Sequence, residues 1–267
     1  MKIAILYICT GKYKIFWKKF YQSCEKYFIN GAKKDYFVFT DSFNIEYEKE
    51  KQNIKKIHQE NLGWPNNTLL RYHTFLKQKN ILVNYNYIYF FNANIIFENK
   101  ISVEEFLPGA EQELTACTHP GFFDKPKSEY TYERNAKSTA FIEDNNSKIY
   151  VAGGINGGRG KEFIKVMEIL KNNIDTDLKN NIIAIWHDES HWNKYVNENI
   201  NQIKLLSPSY LYPEGWSIPF VRKILLINKN KHGGRDFMRN NKIGIKKIIT
   251  ATKNFASYLK NKYYDYH

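Results

Sequence analysis

The heptapeptide Trp186-His187-Asp188-Glu189-Ser190-His191-Trp192 is the densest cluster of ionisable and aromatic groups in the chain. His187 and His191 stand four apart and would share a helix face, an arrangement that resembles zinc-binding His-Glu-x-x-His except that Asp188 replaces the glutamate. That reading needs a long helix around both histidines and a third ligand, whereas the preceding NIIAIW (181–186) reads as a strand or strand edge. The other reading is a helix start, because Asp188 and Glu189 suit the positive end of a helix. A helix start and a catalytic role are compatible.

Asn92-Ala93-Asn94 interrupts the run YNYIYFFNANIIF (85–97). In an open α/β sheet, ligands sit beyond the carboxyl ends of the strands, which makes Asn92 and Asn94 candidate ligand contacts. A plain turn is the alternative, since Asn tolerates left-handed backbone. The glycine-rich IYVAGGINGGRG (149–160) invites a phosphate-loop reading, but Ile155 stands where the first glycine belongs and Glu162 follows Gly160-Lys161, so that motif is rejected. What survives is that Gly153, Gly154, Gly157 and Gly158 leave room for close approach to the backbone, or else form tight turns.

These groups need a scaffold. The run at 85–97 is dense in aromatic and β-branched residues and predicts a central strand buried on both faces. Ahead of it, IAILYIC (3–9) and YFVFT (36–40) predict strands, and residues 14–28 predict a helix with Ile15, Phe16, Phe20, Tyr27 and Phe28 on one side. LGWPNNTLLRYHTFL (62–76) predicts a helix that opens near Pro65 or Asn66 and carries Arg71 inward. The pattern turns irregular from 113 to 160, and a helix is expected from 161 to about 170. Strands alternating with helices imply one α/β domain with a Rossmann-like, mostly parallel sheet.

The net charge of +13 suggests nucleic acid until it is located. Residues 222–267 hold 12 Lys/Arg against 2 Asp, and residues 1–221 hold 28 basic against 25 acidic groups. A basic tail on a neutral body points to a phosphate-bearing small ligand or an anionic membrane surface, and away from a nucleic-acid groove. Within the tail, Ile245, Ile248, Ile249, Phe255, Ala256, Leu259 and Tyr263 recur at helical spacing among lysines, predicting a basic amphipathic helix over 241–267 beyond a catalytic domain at 1–240. Three scattered cysteines, Cys9, Cys24 and Cys117, indicate neither a disulfide framework nor a zinc site, and fit a reducing compartment.

The segments HPGFF (119–123), TYER (131–134), AGGINGG (152–158), WHDESHWNKY (186–195) and LSPSYLY (206–212) together resemble the family 6 glycosyltransferases, the histo-blood-group A and B transferases and α-1,3-galactosyltransferases. The resemblance implies a retaining transferase of GT-A fold that moves galactose or N-acetylgalactosamine from UDP to the 3-hydroxyl of a galactose. It places Ile8, Thr10 and Tyr13 against uracil and ribose, Trp64 and Arg71 against the donor, and Asn92 and Asn94 on the family's Asp-x-Asp. Asp188 is expected to bind the donor sugar, Glu189 to lie beneath its anomeric carbon, and His119, Thr131 and Trp186 to contact the acceptor. Lys229 and Arg235 match two cations that grip the diphosphate.

The departures from the family carry equal weight. The animal enzymes hold Mn²⁺ between two aspartates, and neutral Asn amides are poor substitutes around a hard cation. No metal cofactor is therefore expected, and Lys229, Lys231 and Arg235 are the supply of charge for the departing UDP. The acidic acceptor contact falls on Pro213, with Glu214 adjacent. The chain opens on the first strand of the catalytic domain, so a cytoplasmic enzyme is expected, with possible contact of the tail to an anionic inner membrane face. At Ala152-Gly153-Gly154, a glycine in the third position implies UDP-GalNAc as donor, with a fucosylated galactose as acceptor and a product like the A determinant. The alternatives are a UDP-Gal-dependent galactosyltransferase and a carbohydrate-binding protein whose catalysis has lapsed, against which the intact Asp188-Glu189 pair argues.

Overall fold

The computed structural model describes residues 1–234 and residue 238. Arg235 and the 241–267 segment lie outside the described residues. The chain runs β1 (Lys2–Ile8), α1 (Trp17–Tyr27), β2 (Lys33–Thr40), β3 (Ile54–His58), α2 (Asn66–Leu69), α3 (Arg71–Leu76), α4 (Lys79–Leu82) and β4 (Tyr87–Phe91). It continues through β5 (Ile95–Phe97), α5 (Val103–Phe106), β6 (Leu114–Thr118), β7 (Val151–Arg159), α6 (Gly160–Lys179), α7 (Asp188–Glu198), β8 (Ile203–Leu206), β9 (Tyr212–Pro213) and β10 (Ile224–Leu226).

The main sheet has the order β3-β2-β1-β4-β7-β6-β8, which puts the predicted central strand at its centre. Its pairs are parallel except at β7, which runs antiparallel to both β4 and β6. Successive β1 side chains point to opposite faces, and both faces are covered. Ile3, Ile5 and Tyr7 pack with Trp17, Phe20 and Cys24 of α1, while Ala4 and Leu6 join the cluster formed with α3, α6 and α7. Because β4 is buried on both sides it reads as an unbroken apolar run. After Phe91 the chain leaves this sheet, and β5 enters a small one of order β5-β10-β9. Asn92-Ala93-Asn94 is the crossing between the two sheets.

Several expectations are corrected. The first helix opens as a tight 3-10 turn at Gly11–Phe16, which changes the phase of the apolar face: Ile15 is 51 % exposed and Trp17 is fully buried. The strand β3 escapes detection because its lysines are only part-buried at a sheet edge. The second helix breaks into α2 and α3 around Leu70, although Arg71 does turn inward at 6 % exposure. The stretch at 181–186 is not a strand but an irregular connection into α7. The helix begun at Gly160 continues to Lys179.

The glycines at 157 and 158 are not left open for a ligand. A Cβ at Gly157 would sit 2.3 Å from the Ile88 carbonyl oxygen, and one at Gly158 2.3 Å from that of Glu113. They allow β7 to lie close between its neighbours.

Candidate active site

The site is organised by a bulge in β7. Across β6 the pairing jumps from Ala116 opposite Asn156 to Cys117 opposite Ala152, so 153–155 lose their partners on that side. A bulge frees backbone groups that a regular ladder would consume. Here the Gly153 N–H donates to Glu189 Oε2 at 2.7 Å and the Gly153 carbonyl accepts from Arg71 Nη1 at 2.8 Å, while on the β4 side the Gly154 carbonyl keeps a ladder bond from the Asn92 N–H at 2.8 Å. Three predicted site residues from three different elements are thus held by consecutive peptides of one strand.

Asp188 and Glu189 form the first turn of α7. Asp188 is fully buried and its Oδ2 lies 2.8 Å from Arg71 Nε. Neither of its carboxylate oxygens completes a hydrogen bond of good geometry among the described residues, although the amides of 188 and 189 lie close enough to favour its charge. Burial dominates and pushes its carboxyl up to about 7, with Arg71 opposing and Glu189 adding to the rise. Burial also raises Glu189, against the Gly153 N–H, the Tyr150 hydroxyl and Arg71. Arg71 itself lies over the Phe90 ring, 4.3 Å from its centroid.

The zinc-like reading does not survive. His187 precedes the helix at φ 57° and its ring meets Trp64 edge-on at 5.2 Å. His191 is buried elsewhere, Nδ1 3.4 Å from Thr139 Oγ1 and Nε2 3.7 Å from Asp177, and burial lowers it to about 4. No group of three His, Cys, Asp or Glu is gathered for a metal ion among the described residues.

Above the bulge lies a cleft of about 710 Å³ lined by Ile8, Thr10, Tyr13, Trp64, Arg71, Asn92, Asn94 and Lys229, all expected from the sequence. Its walls also include Asn61, Asn67, Thr68, Phe90 and Met238, which sequence reasoning missed; the polar run around Pro65 was the signal for three of them. Lys229 Nζ sits 5.1 Å from the centroid of the Tyr13 ring.

The Asn92/Asn94 pair does not fit a divalent metal. Asn94 Nδ2 donates to the Ile227 carbonyl at 2.7 Å, and the Ile227 N–H returns a bond to the Asn94 carbonyl at 2.8 Å. The side chain is a strap on the segment that leads to Lys229, and it offers one neutral, unpartnered Oδ1 where a hard cation asks for carboxylates. A Cβ on Gly154 would come 2.9 Å from Asn92 Nδ2 and 3.5 Å from Leu211 Cδ1, so the space beside this glycine belongs to the cleft wall.

A second cleft of about 1510 Å³ shares Asn92, Asn94 and Lys229 with the first and includes His119, Glu214 and Trp216. The residues expected to contact an acceptor are divided. His119 and Glu214 line this cleft, whereas Thr131 and Trp186 bond each other, Trp186 Nε1 donating to Thr131 Oγ1 at 2.9 Å. Glu214 is not free: it accepts from the Asn228 N–H at 2.8 Å and from Lys231 Nζ at 2.6 Å. Lys231 is therefore turned toward Glu214, and among the described residues Lys229 is the tail cation at the first cleft.

Two clefts that meet at Asn92, Asn94 and Lys229, the first walled by an arginine that the β7 bulge holds, suit transfer of a group from a phosphorylated carrier to a second substrate. The comparisons agree. The chain is 38 % identical over 231 residues to the O-antigen biosynthesis glycosyltransferase WbnI of Escherichia coli, covering 86 % of this chain and 96 % of that one. It is 27 % identical over 247 residues to globoside alpha-1,3-N-acetylgalactosaminyltransferase 1 of Gallus gallus, with 86 % and 68 % covered. Over 244 residues it is 27 % identical to histo-blood group ABO system transferase 1 of Rattus norvegicus, with 88 % and 68 % covered. With the family model matching residues 1–240, the chain belongs to glycosyltransferase family 6, enzymes that move a sugar from a nucleotide-sugar donor to a carbohydrate acceptor.

Proposed function

We propose that this enzyme transfers N-acetylgalactosamine from UDP-GalNAc, with retention, in α-1,3 linkage to a galactose carrying a 2-linked fucose, without a divalent metal. The observation that carries the reading is Glu189 held by the Gly153 N–H and Tyr150, on the same bulge whose Gly153 carbonyl holds Arg71 of the first cleft. Uridine lies against Ile8, Thr10 and Tyr13, and the sugar lies over Ala152-Gly153-Gly154 with its anomeric carbon above Glu189. Arg71 reaches its hydroxyls from the wall of the first cleft, backed by the buried Asp188 carboxylate. A methyl at 154 would meet Asn92 Nδ2 at 2.9 Å and displace that side chain, which lines both clefts, so that a 2-acetamido group beside it would be crowded.

Glu189 supplies negative charge as the bond from the anomeric carbon to UDP breaks and its electron pair leaves on phosphate. It either forms a glycosyl ester that the acceptor 3-hydroxyl then displaces, or stabilises the cationic centre while that hydroxyl enters on the face UDP vacates. The acceptor proton passes to the departing phosphate. Lys229, Lys231 and Arg235 offset the growing charge of UDP in place of a metal. For Lys231 this requires release from Glu214, which then faces the acceptor in the second cleft beside His119, with Thr131 and Trp186 meeting the acceptor from outside that cleft. The reaction takes place in the cytoplasm, with the 241–267 segment resting on anionic membrane.

The test is transfer from UDP-GalNAc and UDP-Gal to fucosylated and plain galactosides, with and without EDTA. The expected result is a higher specificity constant with UDP-GalNAc on the fucosylated acceptor, unchanged by chelator. Equal use of UDP-Gal would overturn the donor assignment, and loss of activity restored by Mn²⁺ the metal assignment.

A further inference from the structure

Tyr150 stands immediately before β7, at the inner end of a run of donated hydrogen bonds that begins at the rim. Trp186 Nε1 donates to Thr131 Oγ1 at 2.9 Å, Thr131 Oγ1 to Tyr150 Oη at 3.1 Å, and Tyr150 Oη to Glu189 Oε1 at 3.3 Å. An ionised carboxylate can only accept, so Tyr150 gives its one proton to Glu189 and Thr131 its one proton to Tyr150, while the indole N–H donates to Thr131. Trp186 is 45 % exposed and Tyr150 2 %, so three bonds lead from solvent to the carboxylate. The Tyr150 ring cannot swing away: Phe122 lies 4.4 Å, Tyr132 5.3 Å, His119 5.6 Å and Tyr130 5.7 Å from it, centroid to centroid. Packing of that kind needs only the ring. The hydroxyl aimed at Glu189 requires a different explanation.

We infer that Tyr150 is a positioning residue that holds Glu189 Oε1 and, through Thr131 and Trp186, makes the state of that carboxylate answer to whatever occupies the rim. The inference rests on the functional reading above, in which Glu189 works at the anomeric carbon and Thr131 and Trp186 meet the acceptor. Donated bonds in a chain strengthen one another, so Thr131 donating to Tyr150 makes Tyr150 a better donor to Glu189. An acceptor hydroxyl that takes up the Thr131 proton or the indole N–H weakens the grip on Oε1 and leaves Glu189 more basic and more nucleophilic. The carboxylate is thus restrained until a sugar hydroxyl arrives.

The titratable groups facing Glu189 are the charged Arg71 and, next to it on α3, the neutral Tyr72, together with Asp188 beside it on α7 and the neutral Tyr150. Tyr150 favours its ionised form, so losing the hydroxyl moves the protonation of Glu189 to higher pH. In Tyr150→Phe the acidic limb of kcat should move up by about one pH unit, with KM for the nucleotide sugar unchanged. Arg71 and Asp188 remain in both proteins, so the difference isolates the hydroxyl. Trp186→Phe, at the exposed far end, should move the same limb in the same direction by a smaller amount.

An acidic limb left in place in Tyr150→Phe overturns the inference. So does an unmoved limb in Trp186→Phe, which also covers the case in which the Tyr150 variant fails to fold. Glu189→Gln, assayed alongside, separates the two levels of the argument. If it keeps normal turnover the functional reading itself fails, whereas an inactive Glu189→Gln beside an unshifted Tyr150→Phe removes only the hydrogen-bond run.

Discussion

The floor of the site and its rim are built on opposite principles. On the floor, Arg71, Asp188 and Glu189 are tied to one another or to the β7 bulge, and Asp188 has no solvent exposure at all. At the rim, Lys231 meets Glu214 across an exposed pair, and Trp216 is 53 % exposed. Charges out of water are costly to place and costly to strand, so the floor holds one geometry. Exposed ion pairs contribute little and break readily, so Lys231 can leave Glu214 at little cost. In the proposed reaction, the groups that need exact placement against a reacting carbon are those of the floor, and the groups that need only arrive near a charged carrier are those of the rim.

The comparison is broken most severely from below. Glu189→Gln should reduce transfer about a thousandfold, the scale at which loss of one charge-stabilising group acts in a site of this kind. UDP binding, measured by calorimetry, should change less than twofold; retained turnover would remove Glu189 from the mechanism. Arg71→Met should cost about 3 kcal/mol of stability by stranding Asp188, read by urea unfolding. The loss should be larger at pH 8 than at pH 5.5. The Asp188 carboxyl lies above its unfolded value, so it is protonated and harmless at low pH, and stability falls as pH rises through about 7. A pH-independent loss would mean that Asp188 stays neutral.

At the rim the effects should be smaller and of another kind. Lys229→Ala should weaken UDP binding about thirtyfold, as expected for one charge-assisted contact, with the melting temperature unmoved. A large fall in melting temperature would place Lys229 with the floor. Gly154→Ala, between the two regions, should shift the ratio of specificity constants about tenfold toward UDP-Gal, read by competition between the two donors. An unchanged ratio would mean that Asn92 moves aside for the methyl without touching the sugar.

The floor was also the more legible region in the sequence. Arg71 inward, Asn92 and Asn94 at a strand end, and Asp188 and Glu189 at a helix start follow from local pattern, because each depends on its own element. Joint placement of those residues depends on the bulge, and no periodicity marks a bulge in a strand already crowded with glycine. Gly157 and Gly158 resembled ligand-binding glycines for the same reason, yet they serve the contact with β4 and β6. The role of Tyr150 was invisible because its partners Thr131 and Glu189 lie 19 and 39 residues away. The shifted face of the first helix traces to a 3-10 turn, in which three residues rather than 3.6 complete a turn.

The Gly153 N–H has a use beyond holding Glu189. An amide proton bonded to a carboxylate changes its resonance when that carboxylate takes up a proton, and this one is bonded to Oε2 at 2.7 Å. The chain has 14 glycines, few enough for selective nitrogen-15 labelling to resolve them one by one. The Gly153 signal would then report the charge on Glu189 directly through a titration, with no turnover required, and would show whether an acceptor sugar added alone changes it.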